Sequence, residues 1–351
     1  MANEPSAAHK ASGDFAPMDY RYLGRSALKV SPLCLGAMMF GGETDEPTAQ
    51  RIIHKAFDQG VNFIDTADVY HAGRSEEIVG RAVAQQRDSW VIATKFGFPT
   101  TQGPNEQGQS RKWIMQSVEA SLKRLGTDYI DILYFHRALA DAPLEEGVRA
   151  IGDLIRQGKI RYFGVSNFRG WRIAEIACLA DQLGIDRPVA SEPLYNIVDR
   201  TAEVEQLPAA GHYGLGVVSY SPLARGVLSG KYAVDAAPPV DSRAGRGDKR
   251  IHQTEWRPES LKIAQTIATH AAKRGTTSIA FALAWVLNNR LVSSAIAGPR
   301  TEAQWDSYVE ALKLQLGPDD EKLVDSLVVP GHASTPGYND PGYPIEGRRA
   351  R

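Results

Sequence analysis

From Leu33 onward, short apolar runs rich in valine and isoleucine alternate with longer stretches whose apolar residues recur at helical spacing. The short runs cover residues 33–37, 61–65, 90–95, 129–136, 160–166, 188–192, 215–220 and 292–297, and each is read as a strand. Helices are expected between them at 48–59, 111–125, 144–157 and 170–183. In the first, Asp45 and Pro47 give the start, Ile52, Ile53, Ala56 and Phe57 form one apolar face, and Gly60 gives the stop. Gly126, Gly158 and Gly184 end the other three in the same way. Such alternation predicts βαβ units around a parallel sheet. Because the crossover is almost always right-handed, eight such units can close into a (β/α)8 barrel, although periodicity alone also allows an open doubly wound sheet.

Three segments stand outside this rhythm. Residues 20–30, with Gly24-Arg25-Ser26 between short semi-apolar stretches, read as a hairpin that caps the barrel floor. The stretches 223–256 and 330–351 are rich in Gly and Pro without a period, and long loops in a compact domain are usually functional or disordered. No repeat or linker divides the chain, so one barrel domain is expected over 19–328. A disordered leader precedes it over 1–18, and a C-terminal tail over 329–351 is expected to close over a substrate pocket.

Composition narrows the function classes. Of 351 residues, 43% are hydrophobic and 23% charged, which is globular, and no apolar run approaches the roughly 20 residues that span a bilayer. Forty Lys+Arg against forty-one Asp+Glu leave a net charge of −1, which provides no global field for holding a polyanion. Neither membrane nor nucleic acid is an expected partner. The leader lacks the apolar core of a secretory signal, so a cytoplasmic location is expected. Cys34 and Cys178 offer no zinc-ligand spacing and no disulfide framework, so no metal is expected and both are read as buried small hydrophobes.

In such a barrel the active site lies at the C-terminal ends of the strands. Polar residues follow the apolar runs there repeatedly: Asp65, Lys95, His136, Ser166 with Asn167, Glu192 and Tyr220. Any one of them is adequately explained as a strand cap. A ring of them at one end of a barrel is not, because burying polar groups is costly unless they are paired or functional.

The run Gly60-Val61-Asn62-Phe63-Ile64-Asp65-Thr66-Ala67-Asp68-Val69-Tyr70, followed by Ser75-Glu76, resembles the signature of the aldo-keto reductases. The resemblance continues through Ala93-Thr94-Lys95, Asp128-Tyr129-Ile130-Asp131 leading to His136, and Gly158-Lys159-Ile160-Arg161-Tyr162-Phe163-Gly164-Val165-Ser166-Asn167. It also includes Tyr220-Ser221-Pro222-Leu223, Gly226 and Gly230-Lys231-Tyr232, and spans about residues 20–327. It implies an oxidoreductase that reduces an aldehyde or ketone with a nicotinamide cofactor, through a catalytic tetrad of Asp65, Tyr70, Lys95 and His136. The chemistry also follows on its own terms. Carbonyl reduction needs a hydride at carbon and a proton at oxygen, and free tyrosine, with a pKa of about 10, is a sluggish acid. Lys95 beside Tyr70 would lower that pKa, Asp65 would hold Lys95 charged, and His136 would orient the substrate oxygen.

The usual dinucleotide fingerprint is absent, since Gly214-Leu215-Gly216-Val217-Val218-Ser219 lacks the last glycine and enters a strand. The resemblance instead places Tyr220 on the nicotinamide ring, with Ser166, Asn167 and Glu192 on its carboxamide and Asp65, Ala37 and Met38 nearby. Glu192 stands where the family usually has glutamine. A carboxylate accepts from the amide NH2 but cannot donate to its oxygen. Ser221, Pro222, Leu223, Arg225, Gly226, Ser229 and Lys231 would line the pyrophosphate, with Gly298, Arg300 and Gln304 at the adenosine corner. There the chain departs from the family, with Ser307 and Tyr308 where Glu and Asn are common. NADPH is the expected cofactor, with NADH also admitted.

Two other classes stay open at this stage. One is a cofactor-bound sensor or regulatory subunit, because relatives resembling this chain include potassium-channel β subunits, which carry asparagine at the position of His136. The other is a barrel isomerase or lyase, against which Ser221-Pro222-Leu223 and Gly298-Pro299-Arg300 argue. For a small carbonyl substrate, Tyr70, His136, Met39, Phe98 and Trp113 are the expected contacts, with Met38, Tyr338 and Tyr343 adding apolar wall. Monomer and homo-oligomer are equally compatible with the sequence.

Overall fold

The computed structural model describes residues 18–139 and 142–345. The leader expected over 1–18 lies, apart from Met18, outside the described residues, as do residues 346–351 of the tail. A short antiparallel hairpin, β1 (Arg21–Tyr22) and β2 (Lys29–Val30), precedes the eight strands the pattern predicts. These are β3 (Leu33–Gly36), β4 (Phe63–Asp65), β5 (Val91–Phe96), β6 (Ile130–Phe135), β7 (Ile160–Ser166), β8 (Ala190–Glu192), β9 (Gly216–Ser219) and β10 (Val292–Ala297). Every neighbouring pair is parallel, and β10 pairs with both β9 and β3, so the sheet closes. The fold is a (β/α)8 barrel, and the open sheet is excluded.

Parity within the strands sets which side chains point inward. Cys34, Phe63, Val91, Ala93, Ile132, Tyr134, Ala190 and Val218 pack together inside the barrel, while their neighbours Leu33, Leu35, Ile64, Ile92 and Leu133 pack outward against the helices. Counting on by two from the inward set reaches Asp65, Lys95, His136, Glu192 and Tyr220. The ring of polar residues is therefore the last inward layer of the barrel. At the opposite end Leu23 and Val30 of the hairpin join the same interior cluster and plug the floor. Gly24 makes this plug possible, since its φ of +58° is left-handed and a Cβ there would lie 2.3 Å from the Gly214 carbonyl oxygen.

The outer layer begins with α1 (Glu46–Asp58), where Asp45 accepts a hydrogen bond from the Thr48 N–H at 2.8 Å and Ala49, Ile52, Ile53 and Ala56 are buried. It continues with α2 (Arg74–Val83), α3 (Arg111–Leu125), α4 (Leu144–Arg156), α5 (Gly170–Leu183) and α6 (Gln206–Tyr213). After β9 come α7 (Lys249–Gln253), α8 (Pro258–Lys273) and α9 (Ser278–Asn288), and after β10 come α10 (Glu302–Val309) and α11 (Pro318–Leu327). The unpatterned stretch 223–256 thus contains α7 and a 3₁₀ turn, Ala224–Ser229. Cys34 is buried as expected, but Cys178 is exposed on α5, because it falls on the outer face of a helix whose inner face is Ile173, Ile176, Ala177 and Ala180.

Close packing of α2 on α3 supplies a stability test. A Cβ at Gly80 would lie 2.2 Å from the Leu125 carbonyl oxygen, a backbone atom at the end of α3 that cannot swing aside. Alanine gains about 1 kcal/mol of helix propensity, but overpacking of this kind costs about 1–3 kcal/mol or occasionally more. Gly80→Ala is expected to lower the denaturation midpoint, and an unchanged or raised midpoint would show that the two helices can part.

Candidate active site

Above the last inward layer opens a cavity of about 720 Å3. Asp65, Tyr70, His136, Ser166, Asn167, Glu192 and Tyr220 line it, whereas Lys95 lies just beneath with no exposed surface. Strand ends β4 to β9 position all of these except Tyr70, which a 3₁₀ turn (Tyr70–Gly73) carries back over the mouth. The cost of these sharp loops is visible in the backbone. The six non-glycine residues with positive φ among the described residues are His71, Ala72, Asn167, Ser221, Ala224 and Arg225, and all lie in loops leaving β4, β7 and β9 at this end.

Lys95 organises the floor. Its Nζ donates to Asp65 Oδ1, to the Thr66 carbonyl at 3.0 Å and to the Tyr70 hydroxyl at 3.5 Å. Burial pushes the Tyr70 phenol above the ordinary tyrosine range; Lys95 draws it down, and Asp65 and Glu192 push it up. The expected lowering by Lys95 is thus present as one contribution, but burial outweighs it and Tyr70 stays protonated through neutral pH. Burial, followed by Lys95 and Arg137, drives the His136 imidazole well below its usual range, so it is neutral. The Tyr70 and Phe98 rings meet His136 edge-on, at 5.9 and 4.6 Å between centroids.

The rest of the cavity receives most of the residues expected at a cofactor. Met38, Ser221, Pro222, Leu223, Arg225, Gly226, Ser229, Lys231, Gly298, Arg300 and Gln304 all line it. Tyr220 donates to Asn167 Oδ1 at 2.8 Å, fixing the ring, and Asn167 donates to Ser166 Oγ at 2.9 Å. Met39, Phe98 and Tyr343 line the same cavity as Tyr70.

Three expected residues are elsewhere. Ala37 has outward parity after Gly36 and is fully buried, with its N–H on the Asp65 carbonyl and its carbonyl taking the Ser75 hydroxyl, so it does not line the cavity. Trp113 belongs to α3, outside the barrel, and faces a separate recess with Asp68, Ser117 and Arg124. There burial pushes the Asp68 carboxyl up to about 7. Tyr338 lies against the Arg257 guanidinium, 3.8 Å from the ring centroid, and does not reach the main cavity.

Sequence reasoning also missed contributors. Arg243, Arg246 and Arg250 enter the cavity wall from the unpatterned stretch, while Tyr308, the departure from the family at the adenosine corner, enters it from α10, with burial pushing its phenol up to about 12. Ser307 turns back to cap the Gln304 carbonyl. The Asp241 carbonyl accepts from both Arg246 at 2.7 Å and Arg300 at 3.1 Å, tying this stretch to the loop after β10. Arg225, Arg243 and Arg250 are neutralised by Glu255, Asp248 and Asp340. No carboxylate among the described residues pairs with Lys231, Arg246 or Arg300. The cavity therefore presents three cations without counter-charge, the electrostatic requirement of a polyphosphate.

Comparison with known proteins accords with this geometry. Residues 32–329 match the model of the Aldo/keto reductase family. The chain is 38% identical over 331 residues to a Bacillus subtilis (strain 168) protein named "Uncharacterized oxidoreductase YrpG", covering 91% of this chain and 98% of that one. It is 39% identical over 302 residues to an Arabidopsis thaliana protein named "Probable voltage-gated potassium channel subunit beta", covering 84% and 91%. A rice protein of the same name is 40% identical over 301 residues, with the same coverage. The barrel with its polar upper layer, taken with these matches, defines an oxidoreductase. The chain belongs to the aldo/keto reductase family. No helix among the described residues is long and apolar enough to cross a membrane.

Proposed function

We propose that this chain is a cytoplasmic, NADPH-dependent reductase of aldehydes or ketones in which Tyr70 delivers the proton. The observation that carries the reading is the chain of contacts from Asp65 through Lys95 to the Tyr70 hydroxyl, beside a neutral His136 at the cavity floor. Bound reduced nicotinamide would supply the hydride. Tyr70, protonated at neutral pH, gives its hydroxyl proton to the carbonyl oxygen as that oxygen gains charge, and Lys95 stabilises the phenolate left behind. His136 donates an imidazole N–H to the same oxygen and orients it. Asp65 keeps Lys95 charged and fixed.

The residues present fit the cofactor. Tyr220 offers a ring face, Ser166, Asn167 and Glu192 offer polar groups at the carboxamide, and Lys231, Arg246 and Arg300 offer unneutralised charge for phosphates. The tail, whose Tyr343 lines the cavity and whose Asp340 pairs with Arg250 at 2.6 Å, closes over the substrate end in this reading. Steady-state assays of an aldehyde and ketone panel with NADPH and NADH test the whole. Absence of oxidation of either reduced cofactor with every carbonyl would overturn it.

Relatives named as potassium-channel subunits favour a second reading, a nicotinamide-bound regulatory subunit. His136 beside Tyr70 argues for turnover instead. Oxidation of bound NADPH that stops after one equivalent would favour the regulatory reading.

Arg300 is proposed to select the 2′-phosphate. It has no carboxylate partner among the described residues, its planar fork suits a phosphate, and its backbone N–H is held by Gln304 Oε1 at 2.7 Å. Losing a charge-assisted hydrogen bond costs roughly 1.5–3 kcal/mol, or about ten- to a hundredfold in affinity. Arg300→Ala is expected to weaken NADPH by about that factor and leave NADH nearly unchanged in fluorescence titrations. Equal losses with both would remove Arg300 from the selection.

A further inference from the structure

Two carboxylic side chains share the floor with one cation. Asp65, Lys95 and Glu192 are 3%, 0% and 4% exposed, so none of them relies on solvent. An ammonium has three N–H donors, and those of Lys95 go to Asp65, the Thr66 carbonyl and the Tyr70 hydroxyl. Glu192 Oε1 lies 3.5 Å from Nζ, no closer than the Tyr70 hydroxyl that competes for the same N–H, so it has at most a long, shared contact with the cation. Glu192 Oε2, like Asp65 Oδ2, is buried without a hydrogen-bond partner among the described residues. The Ser166 hydroxyl and the Asn167 N–H satisfy the Glu192 backbone carbonyl and not its side chain. The other titratable groups around it are Cys34 on β3, Tyr134 on β6 and Tyr70, none of which supplies positive charge. A buried ionised carboxylate with only a long, shared donor contact is costly, and a second one beside Asp65 would leave the floor with net negative charge.

We propose that Glu192 is held as a neutral carboxylic acid and that its O–H is the donor to the carboxamide oxygen of the nicotinamide. The donor part rests on the reductase reading above; the neutral acid does not. Asp65, in direct contact with Lys95, is the ionised partner, and the two carboxyls divide the roles of counter-ion and hydrogen-bond donor between them. Burial and Asp65 push the Glu192 carboxyl well above its usual range, and Lys95 only partly opposes them. The neutral acid offers one O–H and one carbonyl oxygen, the donor–acceptor pair that an amide side chain would offer. This resolves how a glutamate serves at a position where an ionised carboxylate could only accept.

Infrared difference spectra of the cofactor-free full chain at pH 7, wild type minus E192Q, test the protonation directly. The C=O stretch of a protonated carboxyl is expected in the wild type and lost in E192Q. If E192Q misfolds, E192L must remove the same band. A spectrum without the band, or a band that survives in either variant and disappears in D65N, would overturn the proposal. Equilibrium titrations with NADPH and NADP+ provide the second readout. E192Q is expected to keep both affinities within about threefold, whereas E192L, lacking a donor, loses about two- to tenfold. An ionised Glu192 beside a positively charged oxidised ring would instead favour NADP+, and E192Q would then shift the NADP+ to NADPH ratio by roughly tenfold or more. A chain that binds neither cofactor would sink the reductase reading while leaving the infrared result to decide the state of Glu192.

Discussion

Tyr70→Phe is expected to remove steady-state carbonyl reduction while leaving cofactor affinity nearly intact. The hydroxyl lies 3.5 Å from Lys95 Nζ at the cavity floor, and the ring packs edge-on to His136. Phenylalanine keeps that packing and deletes the only proton Tyr70 can give. A positioned general acid contributes roughly a hundredfold to ten-thousandfold in rate, and a loss in kcat of that size is expected, with KM for the carbonyl changed much less. His136, neutral and 9% exposed, cannot take over easily, because burial and Lys95 oppose the imidazolium it would need to be a strong acid. Stopped-flow traces under single-turnover conditions would separate the slowed chemical step from product release. Turnover near wild type would remove Tyr70 from the mechanism and leave His136 or a water as donor.

The barrel was legible in the sequence because each strand is a short apolar run buried on both faces, bounded by helices with polar outer faces. Strand parity carries further than strand existence. Once Phe63, Val91 and Ile132 are known to point inward, Asp65, Lys95 and His136 must do so too, so adjacent strands bring together residues that are 30 and 41 positions apart in the chain. The misses follow from the same logic. Trp113 obeys the helical period of α3, and that period says which residues are buried but not which neighbour they are buried against. Ala37 is one position out of phase with the inward set, so its proximity in sequence to Gly36 and Met38 is misleading. Arg243, Arg246 and Arg250 belong to a stretch without a period, and hydrogen bonds to the Asp241 carbonyl and the Asp340 carboxylate hold two of them at the cavity wall. Such contacts depend on tertiary placement and leave no local pattern.

Lys95→Met is expected to slow catalysis and to destabilise the fold in a way that depends on pH. Methionine matches the length of lysine but removes the charge that draws the Tyr70 phenol down, so the phenolate left after proton transfer is less stable. One full charge about 4 Å away at an effective dielectric constant of about 20 is worth roughly 4 kcal/mol. A loss of turnover of about a hundredfold or more is therefore expected, together with movement of any alkaline limb of the pH–rate profile to higher pH. The structural effect is separable from this. Removing the cation strands Asp65 beside Glu192, and breaking a buried ion pair by deleting one partner typically costs about 3–5 kcal/mol. The stranded carboxyl escapes part of that cost by taking up a proton, which raises its native-state pKa above the ordinary carboxylate value of about 4. A group with a raised native pKa binds more protons folded than unfolded, so the variant's stability is retained below about pH 4 and falls as pH rises through the raised value. Urea denaturation at a series of pH values should show the gap between variant and wild type widening from acid towards neutral pH. A gap that is constant with pH, together with an unshifted rate profile and unchanged turnover, would show that Lys95 neither neutralises the floor nor tunes Tyr70.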